Sequence, residues 1–225
     1  IEIRNAANTD RHEEYTEFLY KRRQRKGALH RDCLRMVNND RNVFAACMVA
    51  LGDADAMITG VTRSYNVSYE EIRRVMDPLP GKNVFGLSIV VARERTVLVA
   101  DTAVNTNPSA EDLANIAEQA AEQARFLGLE PRVALLSFSN FGNPMAASAA
   151  TVRDAVAILD QRDLNFEYDG EMSADVALNP EVLALYPFCR LSEPANVLVM
   201  PGLHSAHIAS KMIQGLGNDT VIGPI

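Results

Sequence analysis

The second half of the chain alternates short apolar runs with helical patterns. From Pro131 onward the apolar runs recur about every 30 residues. They are RVALLSF, NFEYDG, ANVLVMP and DTVIGPI, and the helical patterns between them cover residues 146–159, 175–185 and 205–216. Consecutive parallel strands need a crossover of about a dozen residues or more, which is usually a helix. The pattern therefore predicts an α/β fold with parallel-type sheets covered by helices.

The first half of the chain is less regular. Helical patterns cover residues 10–26, 31–37, 41–51, 68–76 and 110–127, and the last opens on a near capping box of Ser109 and Asp112. AMITGV predicts a short buried strand, whereas VFGLSIVVA and RTVLVADTAV, joined at residues 93–95, predict an antiparallel hairpin. We expect an N-terminal α/β part with the hairpin, 1–128, and a regular β-α part, 129–225.

Composition restricts the class of protein. With 225 residues, 48% of them apolar, the chain can form a large core, but no apolar run reaches the roughly 18 to 20 residues that span a bilayer. A net charge of −7 argues against nucleic acid or a membrane as the main partner. Three widely spaced cysteines favour the reducing cytoplasm. Because the chain opens on IEIRN without methionine and stops on TVIGPI, we expect a fragment of a longer domain.

Polar loops follow the predicted late strands, and ligands of doubly wound folds bind at the carboxyl ends of the strands. In SFSNFGNP, the groups of Ser137, Ser139 and Asn140, with the backbone around Gly142, suit an anion such as phosphate. Taken alone, the loop favours an N-capped turn, because Ser and Asn commonly cap helices.

The next two loops carry titratable side chains. Asp169, Glu171 and Asp175 are candidate acid/base groups or ligands of a divalent cation, although solvated carboxylates and a helix cap explain them too. His204 and His207 are three residues apart near a helix start. Since no third ligand follows at a recognised spacing, we predict no metal site.

A basic segment, YKRRQRKG, ends the first predicted helix. Cations are favourable at a helix C-terminus, so a solvated basic end is one interpretation. A site for a multiply phosphorylated ligand, with Arg23 and Lys26 in it, is the other.

Several blocks in order resemble the phosphate acetyltransferase family over nearly the whole chain. The blocks are ALGDADAMITG, VADTAVN, PSAEDLANIA, RVALLSFSNFG, YDGEMSADVALNP and ANVLVMPGLHSAHIASKMIQGLG. The sequence around Asn140, Met172 and His204 is more similar to the C-terminal domain of bacterial NADP-dependent malic enzymes than to true transferases. At residues 60–75, GVTRSYNVSYEEIRRV replaces the transferase segment Thr-Leu-Arg-Pro.

The resemblance implies two α/β subdomains, as in the phosphate acetyltransferase and isocitrate dehydrogenase folds, with acetyl-coenzyme A or coenzyme A in the cleft between them. Arg23 matches a family arginine that holds the coenzyme phosphate. A second family arginine falls at Glu70, and Arg63 is the candidate substitute. The cleft residues implied are Arg23, Lys26, Arg63, Asn105, Ser137, Ser139, Asn140, Asp169, Glu171 and His204.

The same resemblance implies a regulatory, homo-oligomeric module without catalytic residues of its own. The transferase's Ser-Arg loop follows the Ile-Gly-Pro segment, and this sequence stops at Ile225. Malate, NADP and Mg²⁺ or Mn²⁺ would bind a separate malic enzyme domain of the parent chain, and no cofactor is expected in this fragment. Two alternatives stay open, an active phosphate acetyltransferase and a purely structural oligomerisation module.

Overall fold

The structure is a computed structural model that describes residues 3, 5–6, 9–92, 95–217 and 220–225. Two compact units, Ile1–Pro78 and Leu79–Ile225, divide the chain. Among the described residues, no helix is long and apolar enough to cross a membrane.

The first unit is built from helices. These are α1 (His12–Arg23), continued by a 3₁₀ turn (Gln24–Lys26), α2 (His30–Asn39), α3 (Arg41–Ala50) and α4 (Tyr65–Arg73). Their inward faces bury one apolar cluster, which includes Tyr15, Leu19, Val37, Phe44 and Cys47. The helices predicted in this part are confirmed to within a few residues at their ends.

The strand predicted for AMITGV is wrong. Residues 56–61 form no strand, and the side chains of Ile58 and Val61 are fully exposed. The described residues of the first unit contain no strand with which this segment could pair, so side chains hold it instead. The Thr59 hydroxyl donates to Asn42, and Arg41 donates to the Thr62 hydroxyl at 2.6 Å. The described residues of the first unit are therefore helical or irregular.

The second unit contains a sheet, formed in its described residues by six strands in the order β4-β3-β5-β2-β1-β6. The strands are β1 (Leu87–Val91), β2 (Thr96–Ala100), β3 (Arg132–Leu136), β4 (Glu167–Met172), β5 (Val197–Val199) and β6 (Thr220–Ile222). Neighbours from β2 to β4 run parallel, while β1 is antiparallel to both β2 and β6. The predicted hairpin and parallel pattern are confirmed; part of the turn, residues 93–94, lies outside the described residues.

Helices cover both faces of this sheet. Successive strand residues point to opposite faces, so one strand packs against both helical layers. The helices are α5 (Ala110–Phe126), α6 (Ala147–Leu159), α7 (Ala174–Leu178), α8 (Pro180–Leu183) and α9 (Leu203–Leu216). Val133 and Leu135 pack in the cluster with α5 and α6, whereas Ala134 packs in the cluster with α7 and α9. The α/β fold class is thus confirmed.

Two local signals explain where these helices begin and end. Ser109 and Asp112 form the predicted capping box, in which the Ser109 hydroxyl accepts from Asp112 N at 3.2 Å and Asp112 accepts from Ser109 N at 3.0 Å. The helix predicted over 175–185 is interrupted at Asn179, whose extended backbone precedes Pro180. The Asn179 side chain then caps α8 through Glu181 N at 2.9 Å.

The boundary between compact units differs from the predicted one near residue 128. It lies at Pro78 and Leu79, and the connection between α5 and β3 falls inside the second unit. The reason is strand pairing: β2 from the hairpin is parallel to β5, with Leu98 opposite Val197. Residues 79–128 therefore complete the sheet of the later β-α units.

Candidate functional site

A cavity of about 460 Å³ opens at the carboxyl ends of β3 and β5. We call it the strand-end cavity. It is lined by Leu136, Ser137, Phe138, Ser148, Ala174, Met200, Pro201 and Ser205. These residues come from the ends of two neighbouring parallel strands and the starts of α6, α7 and α9, the location that doubly wound sheets favour for ligands. The lining combines apolar side chains with three hydroxyl groups.

The loop after β3, residues 137–146, supplies one wall of the cavity and is bonded to the end of β4. Ser137 N donates to Met172 O at 2.9 Å, and Ser173 N donates to the Asn140 side chain at 2.7 Å. The predicted site residues Ser137 and Asn140 are thus brought together here. Asn140 orients the turn into α7 because its side-chain oxygen accepts the Ser173 amide.

Glu171 occupies the donors that this loop was predicted to offer to a phosphate. Its side chain is fully buried, and Oε1 accepts hydrogen bonds from the Ser139 hydroxyl, from Gly142 N at 3.0 Å and from Arg153 at 2.8 Å. The anion-binding chemistry predicted for SFSNFG is present, but its anion is a carboxylate of the same chain. An isolated N-capped turn does not describe the loop either, since Ser139 bonds to Glu171 rather than to a helix start.

Arg153 is a site residue that sequence reasoning missed. It lies in α6 with its side chain about one quarter exposed, and it also donates to Ala146 O at 3.3 Å. The only signal in the sequence is a lone arginine in the apolar helix ASAATVRDAVAIL. Such a residue is usually solvated, so its pairing with Glu171 could not be inferred without the tertiary contact.

Asp169 is also held by an arginine. It is buried and accepts from Arg190 N at 2.8 Å and from the Arg190 guanidinium at 3.2 Å. Burial lowers the pKa of Arg190, but its bonds to Asp160 and Asp169 outweigh that effect and the net shift is upward. The Asp169 carboxylate is therefore committed to an ion pair and not presented to the cavity as a free acid or base.

The remaining carboxylate and histidines of these loops are exposed. The Ser173 hydroxyl donates to Asp175 and lowers the pKa of that carboxyl, as expected of a solvated group near a helix start. His204 and His207 lie exposed on the first turns of α9. In the part of the chain that the structure describes, no three His, Cys, Asp or Glu side chains are grouped closely enough for a metal ion.

Asn105 lies in the loop after β2 and positions the start of α9. Its side chain donates to Asp101 at 2.6 Å and to Val84 O at 2.9 Å, while its carbonyl accepts Leu203 N at 3.2 Å. The Asp101 carboxylate is buried and accepts several backbone N–H groups of this loop, including that of Ala103 at 2.8 Å. The family resemblance predicted Asn105 as a ligand-binding residue, whereas its contacts in the structure hold the loop after β2 and the start of α9.

The first unit carries the other three predicted residues. Arg23 is half-buried at the end of α1, and its Nε is buried with no hydrogen-bond partner among the described residues. Lys26 is exposed one turn later. Arg63 pairs with Asp40 at 3.2 Å and with Glu71, and bonds to these two groups raise its pKa. Arg63 is therefore neutralised by carboxylates, which leaves Arg23 and Lys26 as the available cations of the predicted set.

Comparison with known proteins gives the family. Residues 1–225 match the family described as phosphate acetyl/butaryl transferase. An NADP-dependent malic enzyme of Rhizobium meliloti (strain 1021) is 59% identical over 225 residues, covering 100% of this chain and 30% of the relative. A phosphate acetyltransferase of Bacillus subtilis (strain 168) is 33% identical over 204 residues, covering 90% of this chain and 63% of that protein.

The fold agrees with these sequence matches. A phosphotransacetylase from Streptococcus pyogenes superimposes with a TM-score of 0.91 at 29% identity, covering 98% of this chain and 68% of that one. All of this chain aligns with the malic enzyme from Rhizobium meliloti, but the chain spans less than a third of the length of that protein. From the family match and the sheet that carries the strand-end cavity, we conclude that the chain belongs to the phosphate acetyl/butaryl transferase family.

Proposed function

We propose that this chain is the regulatory and oligomer-forming module of an NADP-dependent malic enzyme and that it binds acetyl-coenzyme A. The observation that carries the proposal is the 59% identity to a malic enzyme along the whole chain. In the parent protein, a separate domain would oxidise malate to pyruvate and CO₂ with NADP and Mg²⁺ or Mn²⁺. The present chain would supply no cofactor to that reaction.

The contacts in the second unit favour binding over proton transfer. Asp169 and Glu171, the buried carboxylates of β4, are each paired with an arginine of the same chain, so their charges are engaged within the protein. The strand-end cavity is lined mainly by apolar groups with hydroxyls at Ser137, Ser148 and Ser205. Apolar walls with a few oriented polar groups are typical of small-molecule sites, so the strand-end cavity is the candidate ligand site of the second unit.

In the first unit, Arg23 is the candidate contact for a phosphate group. On the family resemblance it matches an arginine that binds the coenzyme phosphate, and its buried Nε lacks a hydrogen-bond partner among the described residues. A buried donor without a partner is costly. A phosphate oxygen would satisfy it, and Lys26 is close in sequence to add charge.

Regulation follows if acetyl-coenzyme A binds one arrangement of the oligomer more tightly than another. The ligand then shifts the population toward that arrangement, and coupling of about 1 to 3 kcal/mol between sites is typical. We propose that this shift changes the rate of malate oxidation in the parent enzyme.

The test uses the full-length parent protein. Isothermal titration calorimetry should show saturable binding of acetyl-coenzyme A that weakens about tenfold in Arg23→Ala, as the loss of one charged hydrogen bond implies. Arg25→Ala, which removes an exposed charge two residues away, should leave the affinity nearly unchanged. Binding that is absent from the wild type, or equally weak in both variants, would refute the proposal. The malate oxidation rate with and without the ligand tests regulation.

A second candidate function is phosphate acetyltransferase activity, which the 33% identity to the Bacillus subtilis enzyme favours. The full-length protein would then form acetyl-coenzyme A from acetyl phosphate and coenzyme A, and absorbance of the thioester reports that product. We expect no product above the background rate. A protein that neither binds the ligand nor forms product, but loses its assembly when this module is deleted, would be the structural alternative.

A further inference from the structure

Glu171 lies next to the strand-end cavity without lining it, and its carboxylate is fully buried. We propose that Glu171 is a positioning residue, whose carboxylate fills an anion cradle and thereby fixes three segments that form the cavity walls. The inference rests on the proposed function, because it takes the strand-end cavity as the ligand site.

The cradle is made by donors that converge on one oxygen. Oε1 of Glu171 accepts from the Ser139 hydroxyl, Gly142 N and the Arg153 guanidinium. The backbone is shaped for this purpose: Phe141 and Gly142 have φ values of 50° and 89°, and Phe141 N donates to Glu171 O at 2.8 Å. Gly142 N thus faces the carboxylate, while Phe141 N holds the backbone of the same residue. A left-handed Phe persists only where surrounding contacts impose it.

The donors and Glu171 itself belong to three segments of the cavity wall. Ser139 and Gly142 hold the loop that begins with Ser137 and Phe138. Arg153 holds α6, whose first turn carries the lining residue Ser148. Glu171 itself is the penultimate residue of β4, three residues before the lining residue Ala174. A single carboxylate therefore joins three walls.

The second carboxylate oxygen bears on whether glutamine can replace Glu171. Oε2 of Glu171 is buried and has no hydrogen-bond partner among the described residues. Glu171→Gln would retain the shape but remove the charge that Arg153 pairs with. The glutamine NH₂ group would also face either the existing donors, which cannot accept a hydrogen bond from it, or the position of Oε2, where it meets no acceptor. Glutamine should thus release the loop and α6 even though it occupies the same volume.

The first experiment measures ligand affinity in the full-length protein. Glu171→Gln should raise the Kd for acetyl-coenzyme A about tenfold or more, while Arg153→Lys, which keeps the charge but loses the guanidinium fork, should fall between it and the wild type. Leu159→Ala is the control for destabilisation, since Leu159 is fully buried at the far end of α6. It should lower the unfolding temperature without changing the Kd. A Kd in Glu171→Gln equal to that of the wild type would overturn the proposal.

The second experiment tests the cradle without the ligand. Glu171→Ala removes a methylene and a carboxylate, a group the size of acetate. Added acetate should therefore restore amide hydrogen-exchange protection to residues 137–146 of this variant, because the three donors remain. In Glu171→Ala combined with Arg153→Met, acetate should have no effect.

The outcomes separate the two claims. Failure of acetate to protect the loop in Glu171→Ala, or equal protection in the double variant, would overturn the cradle. A wild-type protein that binds no acetyl-coenzyme A would refute the proposed function, and the acetate experiment would still decide whether Glu171 fills an anion site.

Discussion

Gly170→Ala should destabilise the second unit through a collision between β4, at one edge of the described sheet, and its neighbour β3. A Cβ at Gly170 would lie 2.6 Å from Leu135 O and 3.0 Å from Leu135 Cβ. Leu135 is the strand partner of Gly170 in β3 and is fully buried. Because β3 is paired on its other side with β5, it has no free space into which to move.

The size of the effect follows from two terms. Forcing an extra methyl group into a packed region costs about 1 to 3 kcal/mol. The backbone at Gly170 also has φ of +154°, a conformation that residues with a Cβ rarely adopt, and such strain costs about 1 to 3 kcal/mol. We expect a loss of about 2 to 6 kcal/mol in the free energy of unfolding. Since Gly170 precedes Glu171, the same shift should disturb the anion cradle.

Gly128→Ala provides the matched control. Gly128 also has a positive φ, +81°, but an added Cβ there meets no heavy atom within 4 Å in the described structure. This variant should lose only the conformational term, about 1 to 2 kcal/mol. Urea unfolding followed by circular dichroism measures both losses, and thermal unfolding should show about 2 to 4 °C for each kcal/mol. Equal losses in the two variants would refute the steric argument.

Two further predictions concern the α5 cap and the thiols. Ser109→Ala should lower the free energy of unfolding by about 1 kcal/mol. The Ser109 hydroxyl and backbone N–H lower the pKa of Asp112 in the folded protein. The stabilisation that comes from the Asp112 carboxylate is therefore present above the pKa of the unfolded chain and is lost as the pH falls through the lower pKa of the folded protein. Urea unfolding at pH 7 and in acid should therefore show a smaller gap between wild type and variant in acid, and an undiminished gap would contradict the assignment. Cys33 and Cys47 are fully buried, and burial raises the pKa of Cys47 to about 12. At about pH 8, a thiol-reactive disulfide reagent should modify neither cysteine until the protein unfolds. Rapid reaction of the folded protein would count against the burial of these two thiols.

Much of the architecture could be predicted because it depends on local pattern. The β-α alternation after Pro131, the hairpin and the capping box of Ser109 and Asp112 all appear as expected. Each depends on residues within one or two elements, where periodicity and capping chemistry decide the structure. The family was also within reach of the sequence, since its motifs recur in order over nearly the whole chain.

Contacts between distant segments decided the rest. AMITGV has the composition of a strand, but strand formation needs a partner, and the described residues around it in the first unit are helical or irregular. The unit boundary depends on the pairing of β2 with β5, which no local pattern encodes. For the same reason the loop SFSNFG could be predicted to bind an anion, but only the tertiary structure brings Glu171 and Arg153 to it and identifies that anion as part of the chain.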